Sequence, residues 1–218
     1  MTNPQNKPGA IIIEGHIQGL SNTRSLGEVG IPVYVVDKNH CIAKHSKYCK
    51  KFFKSPDFIR DEFAWFLKDL AEKEAIKDWV LIPSNDHAVY TISKHKRELE
   101  KYYKVITPDL EVIDRIYDKL KLLDIAKKND IPVPLTQNFH SVDEPISGEM
   151  DFPVLTKGRN GLSFYRAIGK KAFLAHDKRE LRDQLLHIQK HYDISKTFTQ
   201  ELIPYNGKNK TISFTAFC

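Results

Sequence analysis

Short apolar runs alternate with amphipathic stretches through the first half of the chain. Ala10-Ile11-Ile12-Ile13, after Pro8-Gly9, predicts a buried strand over residues 10–14. Gly15 and Gly19 then punctuate a turn, residues 21–29 read as a helix stopped by Gly30, and residues 33–36 read as a second strand with Asp37 at its C-terminal end. Connections this short favour a parallel, right-handed strand–helix–strand unit. Over residues 61–75, Phe63, Phe66, Leu67 and Leu70 share one face of a helix. Trp79-Val80-Leu81-Ile82 is a third buried strand, and Ser84-Asn85-Asp86 is a polar loop at its end, the edge at which doubly wound sheets bind ligands. A helix to about residue 102 and a short strand at 105–106 complete a first α/β domain, residues 1–107.

The pattern changes in the second half. Thr107-Pro108-Asp109 is a helix start, and Ile113, Ile116, Leu120 and Leu123 mark the apolar face of one or more helices reaching Asn129. Ile131-Pro132-Val133-Pro134 is extended, because a residue before proline avoids the α region. Residues 141–150 read as a polar loop. After it come a strand at 152–157, a glycine loop at 158–163, a strand at 172–174, a helix at 177–191 and a strand at 198–203. A turn at 204–210 and a last strand at 211–217 follow. These elements predict an α+β unit of antiparallel strands with a helix against them, residues 108–218.

Composition adds bounds. At 218 residues, 41% hydrophobic and 28% charged, the chain reads as folded and not as disordered throughout. Its apolar runs are far shorter than the roughly 18–20 residues that span a bilayer. Three cysteines with no CxxC spacing suggest neither a disulfide framework nor a zinc site, and point to a reducing cytoplasm. The net charge of +6 is partly local: Lys38, Lys44, Lys47, Lys50, Lys51 and Lys54 occupy residues 38–54 without an acid. Tyr48, Phe52 and Phe53 lie among them, as in some nucleic-acid surfaces. The plainer reading is preferred: a solvated loop leading into an edge strand whose phenylalanines turn to the core. A basic face also suits a small anionic substrate or a nucleotide.

Few local motifs carry chemistry alone. Gly15 and Gly19 followed by Asp37 resemble a dinucleotide-binding turn with a ribose acid, but the spacing G-x-x-x-G lacks the G-x-G-x-x-G fingerprint. Lys157 ends a strand before Gly158-Arg159-Asn160-Gly161-Leu162-Ser163, where glycines allow backbone N–H groups to approach phosphate. A hairpin turn beside a solvated lysine is the equal alternative. The histidines show no metal-ligand spacing. Cys41 has basic neighbours able to lower its pKa but no identifiable partner base.

Five segments carry more when taken in order. They are residues 22–33 (NTRSLGEVGIPV), Leu81-Ile82-Pro83-Ser84-Asn85-Asp86, Asp118-Lys119 through Ile131-Pro132-Val133-Pro134, Phe152-Pro153-Val154-Leu155-Thr156-Lys157, and Thr199-Gln200-Glu201-Leu202-Ile203-Pro204. Together they resemble an ATP-grasp carboxylate–amine ligase, of the branch with D-aspartate ligases and carbamoyl-phosphate-synthetase large-chain-like proteins. Asp130, Gly158 and Tyr205 stand where that family usually has Gly, Pro and Gly.

The resemblance implies an N-terminal Rossmann-like (pre-ATP-grasp) parallel sheet with helices, then an α+β ATP-grasp subdomain. In the latter, residues 108–130 would be linker helices and residues 151–218 the nucleotide-binding lid and hinge. Lys119 and Lys157 would hold the ATP phosphates. Gly161, Leu162 and Ser163 would lie in a flexible loop closing over them. Gln200, Glu201, Leu202 and Ile203 would form the hinge at the adenine, and Lys210 falls where a ribose-binding acid is common. Asn22, Arg24 and Asp86 would face the substrate cleft. ATP and magnesium are the implied cofactors, with the magnesium ligands expected beyond residue 218 and none within the chain. The implied reaction activates a carboxylate as an acyl-phosphate and passes it to an amine. The subdomain is expected to be truncated and the chain incomplete for catalysis; a non-catalytic nucleotide- or ligand-binding module is the alternative. Nucleic acid and membrane are not expected partners, and a homo-oligomer is left open.

Overall fold

Five parallel strands build the first sheet: β1 (Ala10–Ile13), β2 (Val33–Asp37), β3 (Cys49–Lys54), β4 (Trp79–Pro83) and β5 (Tyr103–Val105). Their spatial order is β3-β2-β1-β4-β5. The computed structural model describes residues 8–203, which divide into two compact units between Tyr117 and Asp118. The helices of the first unit are α1 (Ile17–Glu28), α2 (Glu62–Glu74), α3 (Asp86–Lys94), α4 (Lys96–Leu99) and α5 (Leu110–Tyr117).

The unbroken apolar sequence of β1 follows from its central position, where all of its residues are buried. Alternation along the strand sends Ile11 and Ile13 into one core with Phe63, Leu67 and Leu70 of α2. It sends Ala10 and Ile12 into another with Val33, Val35 and the partly buried Leu20 and Leu26 of α1. The basic run ends as edge strand β3. Phe53 packs on the α2 core and Phe52 on the α1 core, while Lys50, Lys51 and Lys54 stay exposed. Lysines along an open edge also oppose pairing with another strand.

Three details differ from the sequence reading. Helix α1 starts at Ile17, so Gly19 is helical and not part of a turn. A Cβ on Gly19 would lie 2.0 Å from the carbonyl oxygen of Glu14; glycine here lets the helix pass close to the end of β1. The stretch after β4 is two helices interrupted at His95, not one. Helix α5 belongs to the first unit: the Tyr117 ring stacks 4.5 Å from Tyr90 of α3, and its hydroxyl meets His87 Nδ1 at 2.6 Å. The unit therefore ends later than residue 107.

The second unit contains α6 (Lys119–Lys128), β6 (Thr136–Gln137), β7 (Val154–Gly158), α7 (Gly161–Ile168), β8 (Ala172–Ala175), α8 (Lys178–Gln189) and β9 (Thr197–Glu201). Its four strands form an antiparallel sheet in the order β6-β9-β7-β8. Val154, Ala175, Leu181 and Leu185 form its core with Phe139, Val142 and Met150. Residues 141–150 are thus a connection pinned by two buried side chains, not a purely polar loop.

Helix α7 stands where the sequence suggested a loop or hairpin turn. The Asn160 side chain caps it by accepting from Ser163 N at 3.0 Å, and Gly169, at φ 78°, ends it. Phe164 anchors it: fully buried, its ring meets Phe173 and Tyr192 edge-on. Among the described residues, no helix is long and apolar enough to cross a membrane. The turn at 204–210, the strand at 211–217 and Lys210 lie outside the described residues.

Candidate functional site

The chain leaves β1 for one side of the first sheet and returns through β4 on the other, so the strand order reverses between them. Open α/β sheets bind ligands at the C-terminal end of such a pair. There Gly15 N donates to Asp37 Oδ2 at 2.8 Å, and Asn39 N donates to Asp37 Oδ1 at 3.0 Å. Asp37 is 4% exposed. Its carboxylate closes the β1–α1 turn and is not presented to a ribose. Beside it, Cys41 is also buried, and burial pushes its thiol pKa up, with the Asp37 charge adding to the rise. The lowered pKa that its basic neighbours suggested is not found.

At the end of β4, Asn85 caps α3 by accepting from Ala88 N at 2.8 Å, and Asp86 is exposed in the first turn. Ser84 Oγ and Asn85 Nδ2 are buried without a hydrogen-bond partner among the described residues. Arg24 lies farther along α1, exposed, beside half-buried Asn22. It lines a cavity of about 380 Å³ with Glu28 and residues of the 42–48 segment, a cavity that neither Asn22 nor Asp86 lines.

The second unit brings the two predicted lysines together. Strand alternation turns Val154 and Thr156 to the core and leaves Lys157 half-buried on the other face of β7. Lys157 Nζ donates to Gln200 Oε1 of β9 at 3.4 Å. Burial, and next the like charge of Lys119, hold its pKa below the ordinary lysine value. Lys119 Nζ lies 3.1 Å from where a Cβ on Gly161 would stand, so it overhangs the first residue of α7. Among the described residues no carboxylate pairs with either lysine. The amides of Gly161, Leu162 and Ser163 open α7, although Ser163 N is taken by Asn160.

One ion pair holds these pieces in register. Asp118 caps α6, accepting from Leu120 N at 3.0 Å and Lys121 N at 3.4 Å. Arg159 grips the same carboxylate, with Nε 3.0 Å and Nη2 2.6 Å from Oδ2. The main chain of Arg159 is fixed as well: its N–H donates to Lys196 O, and its carbonyl accepts from Lys119 N. Burial alone would raise the Asp118 pKa, but the Arg159 hydrogen bonds and charge and the two cap N–H groups outweigh it, and the carboxyl is held low. Both residues lie in segments that the sequence singles out, but neither is given a role there. The signal was present as an acid immediately before a helix and an arginine immediately after a strand-end glycine.

The predicted hinge ends β9. Gln200 links Lys157 to Thr136, whose Oγ1 is 3.4 Å from Gln200 Nε2. Glu201 is occupied: Oε1 accepts from Leu135 N, and its own N–H donates to Leu135 O, both at 2.9 Å. Leu202 N donates to Pro153 O at 3.3 Å. The Ile203 N–H has no acceptor among the described residues, and Leu202 and Ile203 are 41% and 66% exposed. Among the described residues, no group of three or more His, Cys, Asp or Glu side chains could hold a metal ion.

No protein-family model matches the sequence, and no curated protein matches it. Solved structures are similar in fold. The N5-carboxyaminoimidazole ribonucleotide synthetase of Thermotoga maritima matches with TM-score 0.63 and 22% identity over 92% of this chain and 47% of its own. The L-amino acid ligase of Bacillus licheniformis matches with TM-score 0.66 and 15% identity, over 91% and 45%. The biotin carboxylase domain of the Hydrogenobacter thermophilus 2-oxoglutarate carboxylase, solved with MgADP, ADP and bicarbonate, matches with TM-score 0.64 and 16% identity, over 89% and 44%. The chain spans about half the length of these proteins. Over that span it shares the fold of ATP-grasp carboxylate–amine ligases.

Proposed function

We propose that this chain is the ATP-binding part of an ATP-grasp ligase, with the parallel-sheet unit as its Rossmann-like pre-ATP-grasp domain. The observation that carries the reading is the convergence of Lys119 and Lys157 at the opening of α7 with no carboxylate among the described residues to neutralise them. Two like charges held this way oppose each other until an anion arrives. A polyphosphate between them removes that repulsion and accepts from the free amides of the helix start. Asp118 and Arg159 fix the backbone that carries Lys119, so the cradle is formed before the nucleotide binds. Leu202 and Ile203 offer an apolar edge and the Ile203 N–H to the base.

Magnesium, when bound with the nucleotide, would neutralise phosphate charge that the two lysines leave. The reaction proposed for the whole protein is activation of a carboxylate as an acyl-phosphate and its transfer to an amine. The groups at the end of β4, Ser84 to Asp86, are the candidates on this chain for holding the substrate.

Calorimetric titration with MgATP tests the binding step, with hydrogen exchange to locate it. The expected result is saturable binding that slows exchange at Gly161, Leu162 and Ile203. Absence of binding at millimolar MgATP, or protection confined to the first unit, would remove the assignment.

A further inference from the structure

The cavity that Arg24 lines lies within the first unit, between α1 and the segment joining β2 to β3. It measures about 380 Å³, within the size range of small-molecule sites. Leu20 of α1 forms an apolar wall, Arg24 and Glu28 follow on successive turns of the same helix, and His45, Lys47 and Tyr48 face them from the other side. We propose that this cavity is a binding site for a small oxyanion, a carboxylate or a phosphate, held principally by Arg24 and Lys47.

The charge arrangement carries the inference. Residues 38–54 include six lysines and no acid. Lys38 and Lys51 of this run are neutralised by Asp57 and Glu74. Lys47 has no ion-pair partner among the described residues and stands 4.9 Å over the Tyr48 ring. Arg24 is likewise unpaired among them, although Glu28 lies one helical turn away at a spacing that suits a salt bridge. Two cationic side chains, Arg24 and Lys47, and one acid, Glu28, therefore line one concave surface. An arginine fork matches the paired oxygens of a carboxylate or phosphate, and a nearby lysine adds a point charge.

The 42–48 wall is anchored at two points. A Cβ on Gly27 would lie 2.3 Å from the Cβ of Tyr48, so glycine seats Tyr48 directly against α1. In the same segment, Ala43 is fully buried and its N–H donates to Gly15 O at 3.0 Å. The segment is thus tied both to α1 and to the β1–α1 turn, and the cavity does not depend on a mobile loop. Pre-formed walls reduce the ordering cost of binding a small ligand.

Titrations of the isotopically labelled chain with succinate and with inorganic phosphate, read by amide NMR against sodium chloride at matched ionic strength, test the proposal. The expected result is saturable shifts within residues 20–28 and 42–48 for at least one anion, with Kd of about 1 mM or tighter. Saturation by succinate alone assigns a carboxylate ligand, and by phosphate alone a phosphate ligand. Arg24→Ala and Lys47→Ala should each weaken binding about fivefold or more, and Arg24→Lys should not restore it. Lys50→Ala, on exposed β3, should change nothing. Shifts no larger than those of chloride, or equal losses from Lys50→Ala and Lys47→Ala, would overturn the site. Shifts at Gly161 to Ser163 report the nucleotide cradle separately, so either assignment can fail without the other.

Discussion

Arg159 holds Asp118 through two nitrogens, Nε at 3.0 Å and Nη2 at 2.6 Å from the same carboxylate oxygen, while Asp118 caps α6. Asp118→Ala should cost the second unit about 1 kcal/mol for the cap, and more for the loss of the part-buried ion pair with Arg159. Asp118→Asn keeps a cap acceptor and should cost less. The carboxyl pKa is lower in the folded chain, so its contribution is present above the unfolded value of about 3.9 and disappears as pH falls through the folded value. Urea unfolding should therefore separate Asp118→Asn from the parent at pH 7, and the gap should narrow as pH falls below the unfolded value. No difference at pH 7 would show that the pair contributes nothing.

Where burial decided the structure, the sequence was legible. The isoleucines of β1 and the Phe63, Leu67 and Leu70 face of α2 announce their elements because each has one place to go, the two sides of a covered sheet. Gly19 misled because a glycine needed for close packing has the same spelling as a glycine needed for a turn. Helix α7 was missed for a related reason: Gly158 and Gly161 read as a loop, while Asn160 as cap, Phe164 as anchor and Gly169 as stop outweigh them. The place of Lys157 near the end of a strand was readable from the apolar run before it. The Asp118–Arg159 pair, 41 residues apart in sequence, was not, because pairing of that range depends on the fold.

Gly19→Ala should damage the first unit severely. Its Cβ would meet a backbone oxygen at 2.0 Å, and Glu14, which carries that oxygen, is already held at φ 70°. Neither backbone can yield without moving β1, so overpacking of about 1–3 kcal/mol or more is expected. Gly30→Ala is the comparison. Its φ of 78° disfavours alanine, but nothing lies within 4 Å of the added carbon. Thermal melts should show the larger loss for Gly19→Ala; the reverse order would mean that α1 does not pass this close to β1.

Gly161→Ala should separate stability from nucleotide binding. The added carbon stands in the first residue of α7, where alanine favours the helix over glycine by up to about 1 kcal/mol. It also stands 3.1 Å from Lys119 Nζ, whose flexible side chain must move aside. Melting temperature should hold or rise while ATP affinity falls about threefold or more. Unchanged affinity would mean that Lys119 is not poised over the helix start for phosphate.

Lys157→Met should also move the two measurements in opposite directions, and with a defined pH dependence. Burial and the Lys119 charge lower the Lys157 pKa in the folded chain, so its charged form opposes folding. That penalty is fully present below the folded pKa and vanishes as pH rises to the unfolded value of about 10.4. The variant should therefore melt higher than the parent at pH 7, and the gap should narrow as the solution approaches pH 10. ATP should reverse the order, because the phosphates supply the counter-charge that the fold withholds. A charge-assisted phosphate contact is worth about 1.5–3 kcal/mol, so affinity should drop roughly tenfold or more, and the stabilisation that ATP gives should shrink with it. Lys50→Ala, on exposed β3, serves as the control and should leave ATP binding unchanged. Equal losses from Lys50→Ala and Lys157→Met would reduce the lysine effect to net charge. A Lys157→Met chain that melts lower at pH 7 would mean that the aliphatic stem, not the strained charge, is what β7 needs at this position.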